Sequence, residues 1–516
     1  MRIGLSSIYA WRPHVEHLAY LNNLMVQAGH ETCFLVCDAQ LPSCYARELK
    51  RTSKARECPA CMVGGLRSFA KGPFDTLNNS GSSLSWDAAQ QMTLSSAKTI
   101  FRTEALEDIE QPDFRQLHAR LTPSARQAYA SSREWIEKQR LDALLIFNGR
   151  MDATRALLQA AEDSKIPAIT VERTWFSDGL LLVPNDCALD LKQHHRLNRL
   201  FRDEPLTQSQ AVLVARRIAS RFQRTNDSEW RAYHKSAVDV GWPAGNRGLK
   251  VLILPGSRNE VDGHPDWETG WPSFTSALDT VMDHLGAERE SAVLRCHPLW
   301  GEKIGTRTGE LSEAYYSNWG RKRGIHVIPS ADKSSSLSLM AQADLIVVNG
   351  GSAVFEASAL GKPSITLSPA TYSEAGFCGN VFSGDMLENC ERALALPSRD
   401  IIRLGLRFGY THNYRHSQFT RYVKAVSPVE FKYFHGADAG RIINIMETGN
   451  LEPDDAEVAD NDSGESMICD MIARRQWNEL ASLTVDESPG SPLAVRRRLM
   501  LRWLDTARKF APRGDA

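Results

Sequence analysis

Residues 344–367, DLIVVNGGSAVFEASALGKPSITL, leave this chain few ways to fold. A short apolar run over 345–348 ends in Asn349-Gly350-Gly351-Ser352, apolar residues recur at helical spacing over 353–360, and a second apolar run covers 364–367. That is strand, tight turn, helix, strand. The two glycines permit positive φ and close approach of a ligand to the backbone, and Ser352 sits where a helix N-terminus offers unpaired N–H groups and partial positive charge. Such a corner suits a phosphate. Glu356, one turn further along the same face, can reach a ribose hydroxyl or a base edge. The plainer alternative is a ligand-free βα turn with an N-cap serine, common in α/β proteins.

The same alternation runs through most of the chain. A strand at 2–8, a loop through Pro13-His14, a helix at 15–28 stopped by Gly29 and a strand at 32–36 open a parallel sheet. The polar, serine-rich 77–96 reads as a loop without a core, and 112–139 as amphipathic helix broken at Pro123. A strand at 143–147, a turn at Asn148-Gly149-Arg150, a helix to 165 and a strand at 168–172 continue the sheet. Residues 189–233 are charged and helical in pattern, and 241–248, GWPAGNRG, serve as a linker. A second series follows, with strands at 249–254, 292–295, 326–328, 345–348 and 364–367 and helical patterns at 271–285, 334–343 and 353–360.

A chain of 516 residues exceeds the size at which single cores stop growing. The expected fold class is therefore α/β, two tandem Rossmann-like, doubly wound parallel sheets facing across a cleft. The domains expected are 1–240, 249–425 and a helical tail, 426–516, whose acidic stretch 451–466 lacks the apolar residues to order alone.

The formal net charge of -1 gives no reason to expect nucleic-acid binding. The apolar run at the N-terminus is too short for a signal-peptide core, and no segment is long enough to span a membrane, so the expected compartment is the cytoplasm. Residues 495–510 mix Arg and Lys with Leu, Met and Trp, a pattern that can rest on the anionic inner-membrane surface or dock as a helix on the domain. Cytoplasmic cysteines are read as metal or redox candidates rather than disulfides. Cys37, Cys44, Cys58 and Cys61 fall in one basic stretch, and Cys58-Pro59-Ala60-Cys61 has the spacing that lets two thiolates reach one ion. Four sulfurs make a closed structural zinc site, and an iron–sulfur cluster would use the same ligands.

Three polar turns close strands of the second sheet: Gly256-Ser257-Arg258-Asn259-Glu260, Arg295-Cys296-His297-Pro298 and the Gly350-Gly351-Ser352 turn. Three on one rim favour a nucleotide pocket at the carboxyl ends of the strands. His297 there can bond a phosphate or donate a proton. Across the cleft, the first sheet would offer Asn148, Arg150, Glu172 and Arg173. A carboxylate meeting an acceptor hydroxyl can act as general base, and a nearby arginine can hold a phosphate or carboxylate by two hydrogen bonds. The plain alternative for Glu172 is a strand-end ion pair with Arg173 or Arg150. His14, in the first βα loop, also faces the cleft but reads as an ordinary surface histidine.

Together, Phe147-Asn148-Gly149-Arg150 with Glu172-Arg173, Gly256-Ser257-x-x-Glu260, Arg295-x-His297-Pro298 and Gly351-Ser352-x-x-x-Glu356-Ala357 with Gly361-Lys362-Pro363 resemble, over residues 1–425, the bacterial capsular and surface polysaccharide glycosyltransferases of the GT-B type. The resemblance implies sugar transfer from a nucleotide donor to a glycan or lipid-linked acceptor, with no cofactor required. It implies Glu172 and His297 as catalytic, Arg150, Ser257, Glu260, Arg295, His297, Gly350, Gly351, Ser352 and Glu356 as donor-binding, and His14, Asn148 and Arg173 on the acceptor side. His-Pro and the Gly-Ser turn are similar to donor-phosphate contacts of Kdo transferases and bacterial sialyltransferases, which favours a CMP-linked acid sugar and leaves UDP sugars open. The chain departs from the pattern at Thr174, where a glycine is usual, and at Gly256-Ser257, where two serines are usual. A teichoic-acid-type polyol-phosphate transferase and a catalytically degenerate nucleotide-binding scaffold are the alternatives.

Overall fold

The computed structural model describes residues 1–78, 81, 83–175, 178–229, 233–245, 247–485 and 489–508. Parts of the expected 77–96 loop, the 189–233 helices, the 241–248 linker and the end of the 495–510 segment lie outside them.

The first sheet contains β1 (Arg2–Ser6), β2 (Glu31–Val36), β3 (Phe74–Thr76), β4 (Ala143–Phe147), β5 (Ala168–Arg173) and β6 (Leu180–Pro184), in the order β3-β2-β1-β4-β5-β6. All neighbours are parallel except β5 and β6. The second holds β7 (Val251–Leu254), β8 (Val293–Arg295), β9 (His326–Ile328), β10 (Leu345–Val348), β11 (Ser364–Thr366) and β12 (Gly379–Asn380), all parallel, in the order β9-β8-β7-β10-β11-β12. Both therefore wind outward in both directions from their first strand, the doubly wound dinucleotide-fold order, with a switch point beside that strand.

Central strands are apolar because helices cover both faces: β4, ALLIF, and β10, LIVV, are buried throughout. In β7 and β10, Leu252, Leu254, Ile346 and Val348 face one core, and Val251, Ile253, Leu345 and Val347 face another.

Several expectations change. Helix Trp86–Phe101, capped by the Ser85 hydroxyl, occupies much of the serine-rich stretch read as loop. Its Ala89, Ala97, Ile100 and Phe101 join the first core, so burial of small and apolar residues overrides local polarity. Helix Pro112–Gln139 runs unbroken through Pro123. A proline in a helix interior costs about 3 kcal/mol, and the apolar face from Phe114 and Leu117 to Trp135 and Ile136 outweighs it.

The tail is not purely helical: β13 (Val423–Ser427), β14 (Glu430–Phe434) and β15 (Pro492–Leu493) form a small antiparallel sheet. The acidic stretch is ordered by the groups it meets. Asp454 accepts the backbone N–H groups of Phe419 and Thr420, and Glu465, fully buried, takes Arg407 Nε through both oxygens.

The boundary near 240 also proves porous. Helix Gln208–Phe222 packs Ala211, Val214, Ala215 and Ile218 into the second core, while Ile442, Ile445 and Met446 of helix Gly440–Thr448 pack into the first.

Candidate active site

Glu172 lies near the carboxyl end of β5, next to the Asn148-Gly149 turn that ends β4. Asn148 adopts φ +61 and Gly149 φ +71, so the chain reverses sharply. The Asn148 side chain then works in two directions: its Nδ2 donates to Glu172 Oε2 at 2.7 Å, and its Oδ1 accepts the Arg150 N–H at 3.0 Å. The Arg173 N–H donates to Glu172 Oε1 at 3.1 Å. His14 Nδ1 comes within 3.1 Å of the same oxygen without hydrogen-bond alignment.

His14 is not a surface histidine. It is buried, its ring 4.4 Å from that of Phe147. Burial, and then the Arg173 charge, hold its pKa well below the ordinary value, so the imidazole is neutral at pH 7. Burial raises the Glu172 carboxyl, opposed by Arg173, Asn148 and Arg150.

The second sheet contributes its switch point. Gly256, after β7, faces Gly351, after β10: a Cβ on Gly256 would lie 3.6 Å from the Gly351 Cα. The Asn349 side chain staples the two turns by accepting the Gly256 N–H at 2.5 Å. Gly350 sits at φ +95 and touches Ser368, whereas a Cβ on Gly351 would meet nothing closer than 4.0 Å. Ser352 is exposed at the start of helix Ala353–Ala359 and makes no capping bond.

Beside β7, the His297 ring closes its own turn, Nδ1 accepting the Leu299 N–H at 3.1 Å. That places the proton of the neutral ring on Nε2. Trp300, on the same turn, donates Nε1–H to Ser257 Oγ at 2.9 Å, which leaves the Ser257 hydroxyl hydrogen to donate elsewhere.

The sheets meet over this rim. Arg150 Nη1 donates to Ser95 and Thr99 of helix Trp86–Phe101, both at 3.0 Å, and to the Glu260 carbonyl of the second domain at 3.2 Å. Trp175, three residues past Glu172, lines a small hollow with Trp267, Phe355 and Tyr372 over Gly350 and Ser352. Glu104, from the first domain, accepts the Arg258 N–H at 3.0 Å and the Tyr316 O–H at 2.9 Å, and Tyr316 accepts from Asn349. Burial pushes the Glu104 carboxyl up to about 7.

The structure thus gathers His14, Asn148, Arg150, Glu172 and Arg173 on one side, and Ser257, His297, Gly350, Gly351 and Ser352 along the carboxyl ends of three adjacent strands on the other. Two expected donor ligands are engaged elsewhere. Arg295 is buried and donates to the carbonyls of Cys296, Pro329 and Asp332, tying strand ends together. Glu356 is buried in an ion pair with Arg221 at 2.6 Å, supplied by helix Gln208–Phe222. Glu260 enters through its carbonyl, its side chain being exposed. Sequence inspection misses Glu104, Trp175, Trp300 and Tyr316, and the bond from the Gly256 turn to Asn349, because their partners are distant along the chain.

The four cysteines do not fit a closed tetrahedral ion. Cys58 and Cys61 lie one turn apart in helix Lys54–Gly64, with Cys37 near both, but Cys44 precedes another helix and lies near Asp152. Among the described residues no three of these sulfurs come within 4.8 Å of one another. Burial, with Cys37 and Cys58 adding to it, pushes the Cys61 thiol up to about 11.

No family model matches the chain, and no curated protein aligns with it. Among solved structures it is similar to the Thermosulfurimonas dismutans KpsC beta Kdo 2,7 transferase, with 13% identity over 67% of this chain and 90% of that one and a TM-score of 0.34. It is also similar to the Methanocaldococcus jannaschii UDP-GlcNAc 2-epimerase, with 12% identity, 87% and 99% coverage and a TM-score of 0.30. Acinetobacter baumannii MurG matches with 10% identity, 86% and 99% coverage and a TM-score of 0.27. With scores of this size, the fold stands on the chain's own strand order and the function on its own side chains.

Proposed function

We propose that the chain is a glycosyltransferase that moves a sugar from a nucleotide donor to a surface or capsular glycan. One observation carries this reading: the Glu172 cluster ending the first sheet is joined, through Asn148 and Arg150, to the Gly256–Glu260 turn at the switch point of the second. A base and a phosphate-binding rim are what transfer from a nucleotide sugar needs.

Glu172 would take the proton of the acceptor hydroxyl. Asn148 and the Arg173 N–H aim its carboxylate, and burial brings its pKa toward neutrality, where a general base is most effective. Charge building on the departing nucleotide would be met by His297 Nε2–H, the Ser257 hydroxyl and the backbone at Gly351 and Ser352. The hollow beneath Trp175 supplies aromatic faces beside that rim. A CMP-linked acid sugar is the favoured donor, since Arg150 and Arg173 place cations near the base. Thermal-shift screening against CMP, CDP, UDP and GDP tests this, because a ligand bound only by the folded chain raises Tm. A rise with CMP supports the proposal, a rise with UDP alone replaces the donor, and no rise with any of the four removes the transferase reading.

We further propose peripheral contact with an anionic membrane through the C-terminal segment. Among the described residues no helix is long and apolar enough to cross a membrane, but Leu499, Met500 and Trp503 are 77%, 87% and 63% exposed beside Arg502. Co-sedimentation with phosphatidylglycerol vesicles should be lost in Met500→Glu/Trp503→Glu. Equal binding by that variant would dismiss the contact.

A further inference from the structure

A cavity of about 350 Å³ opens where helices Tyr45–Lys50, Trp86–Phe101 and Pro112–Gln139 of the first domain meet the second-domain loop carrying Arg307. Four arginines line it, Arg47, Arg51, Arg120 and Arg307, together with the acidic Glu48 and Asp113. None of these residues belongs to the Glu172 cluster or the switch-point rim.

The positive charge is unevenly answered. Glu48 is held by Arg120 Nε and Nη2 at 2.9 to 3.2 Å and by the Ser43 hydroxyl at 2.6 Å. Arg47 turns Nη2 to the carbonyls of Leu41 and Pro42. Among the described residues Arg51 and Arg307 have no carboxylate within 4.0 Å, and they repel each other: burial and then Arg51 depress the Arg307 guanidinium, with Asp113 and Glu310 offsetting this in part. Two cations facing one space without close acidic partners make a site for an anion.

The site is also held in shape. Arg307 lies 4.3 Å over the Phe101 ring. Arg102 donates to the carbonyls of Leu299 at 2.7 Å, Arg307 at 3.1 Å and Glu302, pinning the loop from the second domain onto the first. At Gly305 a Cβ would lie 2.0 Å from the Leu49 carbonyl oxygen, so only glycine lets the two backbones come this close.

We propose that this cavity binds a multiply charged oxyanion, held by Arg51 and Arg307 from opposite domains. Guanidinium groups match phosphate and carboxylate by paired hydrogen bonds, and a ligand joining the two domains would stabilise their contact. On the transferase reading, on which this last step rests, the anion belongs to the acceptor. Its source is then either the pyrophosphate of a lipid-linked glycan or the carboxylates of an acid-sugar chain.

Isothermal titration of the full chain at low salt tests the proposal with three probes: inorganic pyrophosphate, tetragalacturonate and uncharged maltotetraose. Binding of pyrophosphate alone assigns the phosphate source, and binding of tetragalacturonate assigns the acid-sugar chain. Arg51→Ala and Arg307→Ala should each weaken the bound probe by about tenfold, the loss of one charge-assisted hydrogen bond. Arg307 is packed against Phe101, so its variant is paired with a melting curve. Arg51 is exposed and its side chain makes no hydrogen bond among the described residues, so Arg51→Ala should melt like the wild type. Failure of both anions to bind, binding of maltotetraose equal to theirs, or binding that both variants leave unchanged would overturn the site. The assay contains no donor and reads no turnover, so its failure leaves the transferase proposal standing, and a transferase failure leaves the anion site standing.

Discussion

Glu172 carries the most exacting test. Burial raises its pKa, so the folded chain holds that proton more tightly than the unfolded one. Its contribution to stability is complete below the unfolded value and is lost as pH rises through the folded value. Catalysis runs the other way, since only the ionised form can take a proton. The acid limb of kcat/KM should therefore lie above the ordinary carboxylate range. Glu172→Gln should lower turnover about 10²- to 10⁴-fold and remove that limb without lowering Tm. A limb unchanged in the variant would move the base elsewhere. Glu172 was legible from the sequence because a carboxylate at a strand end is easily placed. The burial of His14 was not: a histidine after proline in a loop shows no sign that Phe147, 133 positions on, will cover its ring. Glu104 was equally hidden, with partners 154 and 212 residues away.

The Gly350-Gly351 turn separates folding from ligand approach. Gly350 has φ +95, and a Cβ there would lie 2.8 Å from Ser368 Oγ and 3.3 Å from Trp267. Gly350→Ala should cost about 1 to 3 kcal/mol, read as a lower urea midpoint. Gly351 has neither constraint, so Gly351→Ala should keep the midpoint and weaken nucleotide binding by crowding the rim. Equal midpoints for the two variants would contradict this division. The sequence showed the strand–turn–helix unit but could not say which glycine the fold needs, because the answer depends on the neighbouring strand end. For the same reason Pro123 looked like a break: its helix is held by packing on its apolar face, which local propensity does not record.

Between the domains, His264 Nε2 lies 3.2 Å from Asp186 Oδ1, with Lys192 3.0 Å from Asp186 Oδ2. Burial alone would lower the His264 pKa, but its bonds to Asp186 and Cys187 raise it to about 10. A raised histidine stabilises fully below its unfolded pKa and loses that contribution as pH rises through about 10. His264→Gln should thus lower Tm at pH 6 to 8 by a few degrees, for about 1 to 2 kcal/mol, and the gap should close above pH 10. A gap constant over that range would mean the loss is one of packing. Glu104 acts in the same direction over a lower pH window. Burial raises its carboxyl to about 7 against the hydrogen bonds donated by Arg258 and Tyr316, so its ionisation in the buried site costs stability as pH rises from the ordinary carboxylate range through about 7. Glu104→Gln should flatten the fall in Tm between pH 5 and 8, and an unflattened curve would clear Glu104 of that role. The two doubly wound sheets were visible in the sequence as alternating patterns, whereas their edge strands β3, β6 and β12 and the seam between them were not, since the edge strands are short or carry no alternation and the seam is built from single residues of many loops.

The exchange of helices Gln208–Phe222 and Gly440–Thr448 between the two cores has a practical result for anyone dissecting the protein. A gene fragment ending at the linker would carry a helix whose apolar face has lost its cover, and would lack another that its own core requires. Neither half should express as a soluble piece, and a nicked chain should hold together until denaturant separates the fragments.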